Sequence, residues 1–120
     1  MKEKWLKDLR RSDEKQIRDL LIRVVSEDND ETLKEDLESF HASEIADVFE
    51  YLNTHDRRRI LRAVDLDTAS EIFSFLEEFD PYIHEIGDRE AADILENMDI
   101  GDAIDVLQEL EPQKRAQIAA

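Results

Sequence analysis

Val48-Phe49-Glu50-Tyr51-Leu52, Ile60-Leu61-Arg62-Ala63-Val64 and Ile72-Phe73-Ser74-Phe75-Leu76 share one pattern: two adjacent apolar residues, two variable ones, and a third apolar residue. The pattern returns at Tyr82-Ile83 with Ile86, at Ile94-Leu95 with Met98 and at Val106-Leu107 with Leu110, and Ile118-Ala119 opens another. Successive starts lie 12, 12, 10, 12, 12 and 12 residues apart. A period of that length holds about 8–9 helical residues and a tight turn, so each helix is roughly 12–13 Å long. Such a helix is marginal alone. Stacked on its neighbours, it buries its apolar residues in one continuous seam, which is how a helical solenoid is built.

Outward from this core the signals remain helical. Ile17, Leu20, Leu21 and Val24 form an apolar stripe at i, i+3, i+4, i+7 spacing, and Leu33, Leu37 and Phe40 form a second. Ser26-Glu27-Asp28-Asn29-Asp30 reads as a polar turn between them. Alternating apolar and polar runs are missing, and the chain has two glycines and two prolines, so strands have little support. Thr68-Ala69-Ser70-Glu71 fits a capping box, and Asp80-Pro81, Asp88 and Glu111-Pro112 mark further helix starts. Gly87 and Gly101 fall between motifs, where helix ends are expected. The expected organisation is a short N-terminal segment over residues 1–12 and an acidic all-α solenoid over residues 13–120.

The 120 residues carry 32 acidic and 16 basic side chains, a net charge of −16. A polyanion of this size is repelled by phosphate backbones and anionic lipid, which argues against nucleic-acid and membrane-surface partners. No uncharged stretch exceeds five residues, whereas a span needs about 20 apolar ones, so this segment inserts in no bilayer. With no cysteine there is neither a disulfide framework nor a thiol nucleophile. His41, His55 and His84 lack spaced partners, and no phosphate loop or nucleophile elbow is present, so no enzyme is expected. Asp28, Asp30 and Asp36 suggest a calcium loop, but Leu33 stands where its glycine is required.

The charge is uneven. Between Ala63 and Gln113 there are 16 carboxylates and a single cation, Arg89. The basic cluster Arg57-Arg58-Arg59 with Arg62 reads as counter-charge to neighbouring acidic helices. Asp47, Glu71, Asp93 and Asp105 each precede an apolar pair, which places them at matching positions on the flank of the seam. Mg²⁺ takes oxygen ligands, keeps much of its water and often binds through one or two carboxylates, so one face of the solenoid can supply half a site. Capping for Glu71, and plain solvation for the other three, are the alternatives that spacing leaves open.

His41-Ala42-Ser43-Glu44-Ile45-Ala46-Asp47-Val48-Phe49, Ala69-Ser70-Glu71-Ile72-Phe73, Glu90-Ala91-Ala92-Asp93-Ile94-Leu95 and Gly101-Asp102-Ala103-Ile104-Asp105-Val106-Leu107 together resemble the N-terminal cytoplasmic domain of MgtE-type magnesium transporters. The resemblance covers roughly residues 13–120. It implies a right-handed superhelix of short helices, on the cytoplasmic side of the membrane, followed by CBS domains and a pore that are absent from these 120 residues, in a homodimeric protein. It further implies that Mg²⁺ between acidic faces of the superhelix and the CBS domains gates the pore. Glu71 and Asp105 match acidic family positions at such interfaces, with Asp102 a plausible third ligand. Binding to the isolated domain is then expected to be weak. Gly101 departs from members with an acid there, and Ala42 from the usual proline. The alternative class is a helical adapter, similar to the flagellar motor switch protein, with no role for an ion.

Overall fold

The structure is a computed structural model that describes the backbone of residues 2–120 and the side chains of residues 14–120. Helix α1 runs Lys2–Glu27, across the expected boundary after residue 12, and is followed by α2 (Asp30–Leu37), α3 (Ala42–Val48), α4 (Thr54–Ala63) and α5 (Leu66–Phe75). Next come α6 (Asp80–Ile83), α7 (Asp88–Glu96), α8 (Ile100–Glu109) and α9 (Pro112–Ala119), with one 3₁₀ turn at Phe49–Tyr51. No strand occurs among the described residues. The chain is all-α.

The origin of the period is visible in the connections. Helices α4, α5 and α8 are each ten residues long and end on an extended apolar residue: Val64, Leu76 and Leu110. After α4 and α8 one further extended residue, Asp65 or Glu111, caps the next helix, so ten helical residues and two extended ones make twelve. The third apolar residue of each motif therefore lies at the corner, beyond the regular helix. Leu52, Leu76 and Leu110 are buried there and anchor the turn. The repeat also begins earlier than the motif spacing indicates, because α2 starts 12 residues before α3.

Helices pack on their second neighbours: α1 on α3, α3 on α5, α5 on α7 and α7 on α9 form one row, while α2 packs on α4 in a second. Between the rows lies a single apolar core that includes Leu21, Phe49, Ile60, Phe73, Ile94 and Val106. Stacking short helices in this way lengthens the molecule. Its radius of gyration is 15.8 Å, against about 13.6 Å for a compact chain of this length. The two residues missing from the period fall at α6, which is only four residues long.

Several helix ends differ from expectation. Thr68 does not cap α5; Asp65 does, accepting a hydrogen bond from Thr68 N at 2.8 Å. The box lies instead at α3, where His41 Nδ1 accepts from Ser43 N and the His41 N–H donates to Glu44. An imidazole nitrogen substitutes there for the usual hydroxyl oxygen. Phe79 rather than Asp80 occupies the N-cap position of α6. Gly87 does precede α7, but Gly101 lies inside the first turn of α8, with open space where a Cβ would project. Its backbone is ordinary helix, so glycine marks no boundary there.

Candidate functional site

The first half of the solenoid is held by arginines. Arg57 projects from α4 and donates from Nε to Glu85 Oε2 at 2.8 Å while its terminal nitrogens reach Glu85 Oε1 and the carbonyls of Phe49 and Leu52. Its guanidinium also stands 5.0 Å from the Tyr82 ring centroid. A two-pronged, charge-assisted contact of this kind is among the stronger hydrogen-bonded arrangements. It holds the Glu85 carboxyl below its ordinary range. Arg59 reaches α1, donating to Val25 O at 2.6 Å and Asp28 O at 2.5 Å, and pairs with Asp30 and Asp56. The counter-charge reading thus holds for Arg57 and Arg59. Arg58 and Arg62 are exposed and form no ion pair among the described residues.

The second half has fewer ties. Asn97, which caps the end of α7, donates to Asp67 at 2.8 Å and to the buried Ser70 at 3.2 Å, and Lys114 on α9 pairs with Asp88 at 2.8 Å. These contacts join α5, α7 and α9 but leave most carboxylates without a partner.

Asp102 and Asp105 come from α8, on the flank of the face that buries Val106. One turn separates Asp102 from Asp105, and Glu109 follows four residues later, so the three align along one side of the helix. Asp102 in the first turn is stabilised by the helix dipole. Asp102, Asp105 and Glu109 open on one shallow depression, closed on its other side by Ser74 of α5 and by Phe79. Asp102 is half-buried and Asp105 exposed. None of the three forms an ion pair or side-chain hydrogen bond among the described residues.

Glu71 lies elsewhere. It is exposed on α5, and its carbonyl accepts from Ser74 Oγ at 2.7 Å, but it does not line the depression. With Asp47 on α3 and Asp93 on α7 it occupies the sixth position of successive helices in the α3, α5, α7 row. Asp105 is the sixth residue of α8, which packs on α7 from outside that row. The four positions that spacing groups together therefore divide three and one. No three histidine, aspartate or glutamate side chains among the described residues are placed to hold one ion together. The donor set, exposed carboxylates with room for water, suits a hydrated hard cation held partly by another surface.

Sequence reasoning missed a second acidic feature. Asp28 has its carboxyl raised above the ordinary range, first by the neighbouring Asp36 carboxyl and then by burial, and its Oδ2 is buried without a hydrogen-bond partner. The rejected calcium loop had drawn attention to these residues for a different reason. No spacing rule would have paired them.

Comparison with known proteins places this geometry in context. Residues 40–120 match the family model of the MgtE intracellular N domain. A solved structure described as the crystal structure of the soluble part of a magnesium transporter matches with a TM-score of 0.75 at 21% identity. The match covers 88% of this chain and 43% of the other, so this chain spans less than half the length of that solved protein. The likeness is one of fold. A search of curated proteins found no match. Among the described residues no helix is long and apolar enough to cross a membrane.

Proposed function

The chain belongs to the MgtE intracellular N-domain family, and we propose that it is the cytosolic regulatory domain of a magnesium transporter, sensing Mg²⁺ through an acidic face docked on CBS domains. The observation that carries this reading is the depression where Asp102, Asp105 and Glu109 meet without counter-ions. It lies in a half, Leu66–Ala120, that sets 15 carboxylates against three cations. Asp102 and Asp105 supply part of one ion's shell. Glu71, exposed in the other row, belongs to a separate contact with the CBS surface. A half-site of this kind binds weakly until the second surface arrives.

The energetics follow from charge. Two unit charges 4 Å apart interact by about 1 kcal/mol in water and about 4 kcal/mol at an effective dielectric of 20. A few acid–acid contacts across an interface therefore amount to several kcal/mol, enough to swing a two-state equilibrium. Mg²⁺ between the faces reverses the sign and favours the closed arrangement of a homodimeric transporter. The ion acts only through its higher affinity for the docked state. When Mg²⁺ falls, the faces separate and the pore opens.

Limited proteolysis of the domain joined to its CBS pair tests the proposal across a Mg²⁺ titration. Protection that rises with Mg²⁺ and weakens in Glu71→Ala and Asp105→Ala is the expected result. Protection independent of Mg²⁺ would favour an adapter that docks a basic protein. Protection unchanged in both variants would remove those two residues from the site.

A further inference from the structure

Helix α8 carries more on its outer surface than carboxylates. Around the helix, at about 100° per residue, Ile100 and Ile104 stand on one flank and Asp105 and Glu109 on the other, with Gly101 and Gln108 between them. All six are exposed. Ile100 is 82% exposed, the most of any large apolar residue described, and Ile104, one turn on, is 46% exposed. Single apolar side chains at a surface are ordinary. Two isoleucines stacked on a helix that already buries Val106 are not required by the fold.

Gly101 is the second feature that the domain itself does not explain. Glycine is a poor helix former, because it loses the most backbone freedom on ordering, and its uses are unusual backbone angles and close approaches. Gly101 has no positive φ, and no atom lies within 4 Å of the place its Cβ would take. The approach it permits is therefore from outside, by a surface that comes down onto the backbone of α8 between the isoleucines and the carboxylates.

The ion site fixes which surface that is. Gly101 adjoins Asp102, and Ile104 adjoins Asp105. A helix is only about 10–12 Å across with its side chains, so whatever completes an ion's shell over Asp102 and Asp105 also covers Gly101 and Ile104. The ridge belongs to α8, which packs on α7, whereas α1 packs on α2, α3 and α4. In the solved relative the matched part is 43% of the chain, so a further part at least as large accompanies it there.

We infer that Ile100, Gly101 and Ile104 form an apolar docking ridge for the same CBS surface that completes the ion site, a contact of the docked state that needs no ion. The inference rests on the Mg²⁺-sensing reading for its partner, but not for its residues. The matching surface is an apolar hollow bordered by acidic groups: the isoleucines and the bare backbone enter the hollow, and carboxylates of the two faces meet across the ion. An apolar contact of equal strength with and without Mg²⁺ does not make docking ion-dependent, which takes differential affinity. It adds a constant favourable contribution, and so sets the Mg²⁺ concentration at which repulsion between the faces is overcome.

Limited proteolysis of the domain joined to its CBS pair, across a Mg²⁺ titration, tests this with ridge variants. A buried isoleucine counts for about tenfold or more in an association constant. Ile100→Ser with Ile104→Ser should therefore raise the Mg²⁺ concentration at half-protection at least threefold, with the steepness of the curve unchanged. Gly101→Gln should do the same by obstruction, whereas Asp105→Ala, which removes an ion ligand, should flatten the curve. In the 120-residue chain alone, Gly101→Ala should hold or raise the melting midpoint and the isoleucine variant should leave it unchanged, so that weaker docking is not weaker folding. A wild-type curve that depends on Mg²⁺, with the ridge variants superimposed on it, overturns the inference and leaves the sensing reading in place. Protection that ignores Mg²⁺ but is lost in the ridge variants keeps the ridge and removes the ion. Ridge variants that destabilise the joined protein equally with and without Mg²⁺ also overturn the inference, because the isoleucines then pack on the chain that follows the domain.

Discussion

From Glu14 to Asp65 the chain sets 14 carboxylates against eight cations; from Leu66 to Ala120 it sets 15 against three. Apart from the contraction at α6, both halves keep the same helical period and bury the same kinds of apolar residue. They differ in everything polar. In the first half Asn29, His41, Asn53 and Asp65, each 12 residues from the next, cap α2 to α5 through their side chains. In the second, α6 to α9 start without a side-chain cap bond. Arginines tie the first half to its neighbours, while the second relies on apolar packing and a few exposed polar contacts. Apolar spacing alone therefore sets the architecture, and capping and charge pairing are local additions. The half left without them carries the larger excess of carboxylates over cations.

The sharpest test of this contrast removes a brace from each half. Arg57→Ala leaves Glu85 without its partner and uncovers Tyr82, and should cost about 3 kcal/mol in urea unfolding. Lys114→Ala breaks a half-exposed pair and should cost about 1 kcal/mol or less. Equal losses would abolish the distinction. Acid titration of wild type sharpens it. Glu85 has a folded pKa below its ordinary 4.5, so its contribution is complete above that value and is lost as pH falls through the lowered one. The Arg57→Ala chain should lack this part of the acid transition.

Capping gives the next largest difference. Asn53 accepts from Asp56 N at 2.8 Å, so Asn53→Ala should cost about 1 kcal/mol, whereas Asp99→Ala, with no cap bond to lose, should change stability by less than about 0.5 kcal/mol. Smaller still, and opposite in sign, is the effect of relieving repulsion. Asp28 lies beside the Asp36 carboxyl and has a raised pKa, so the folded state is favoured as protons bind and is penalised at neutral pH. Asp28→Asn should raise the melting midpoint at pH 7 and lose that advantage near pH 3. Asp105→Asn should raise the midpoint slightly at low salt and blunt the stabilisation produced by added Mg²⁺.

How much of this was legible depended on whether the signal was periodic. The apolar triplets repeat, and they located the helices, the solenoid and the two-residue contraction before α7. The corners were not legible. Leu52 and Val64 read as helix-face residues because i+4 from the pair is also a helical interval, yet both are extended. His41 as a cap, and Gly101 inside a helix, contradict the usual preferences because local hydrogen bonds and open space permit them. Asp102 and Asp105 could be grouped from their spacing on one helix. The separation of Glu71 from Asp105 could not, since packing on second neighbours assigns equal helix positions to two different rows.

The short helix α6 has one more effect. With four residues where its counterparts have eight or ten, it interrupts the α2–α4 row, so the two ends of the solenoid are joined chiefly through α5 and α7. In a nearest-neighbour assembly, cooperativity is transmitted only across contacts that exist. The domain is thus a strip notched on one edge: flexural strain gathers at the notch, and amide exchange near Phe79–Ile86 should be the first to quicken when the strip is bent.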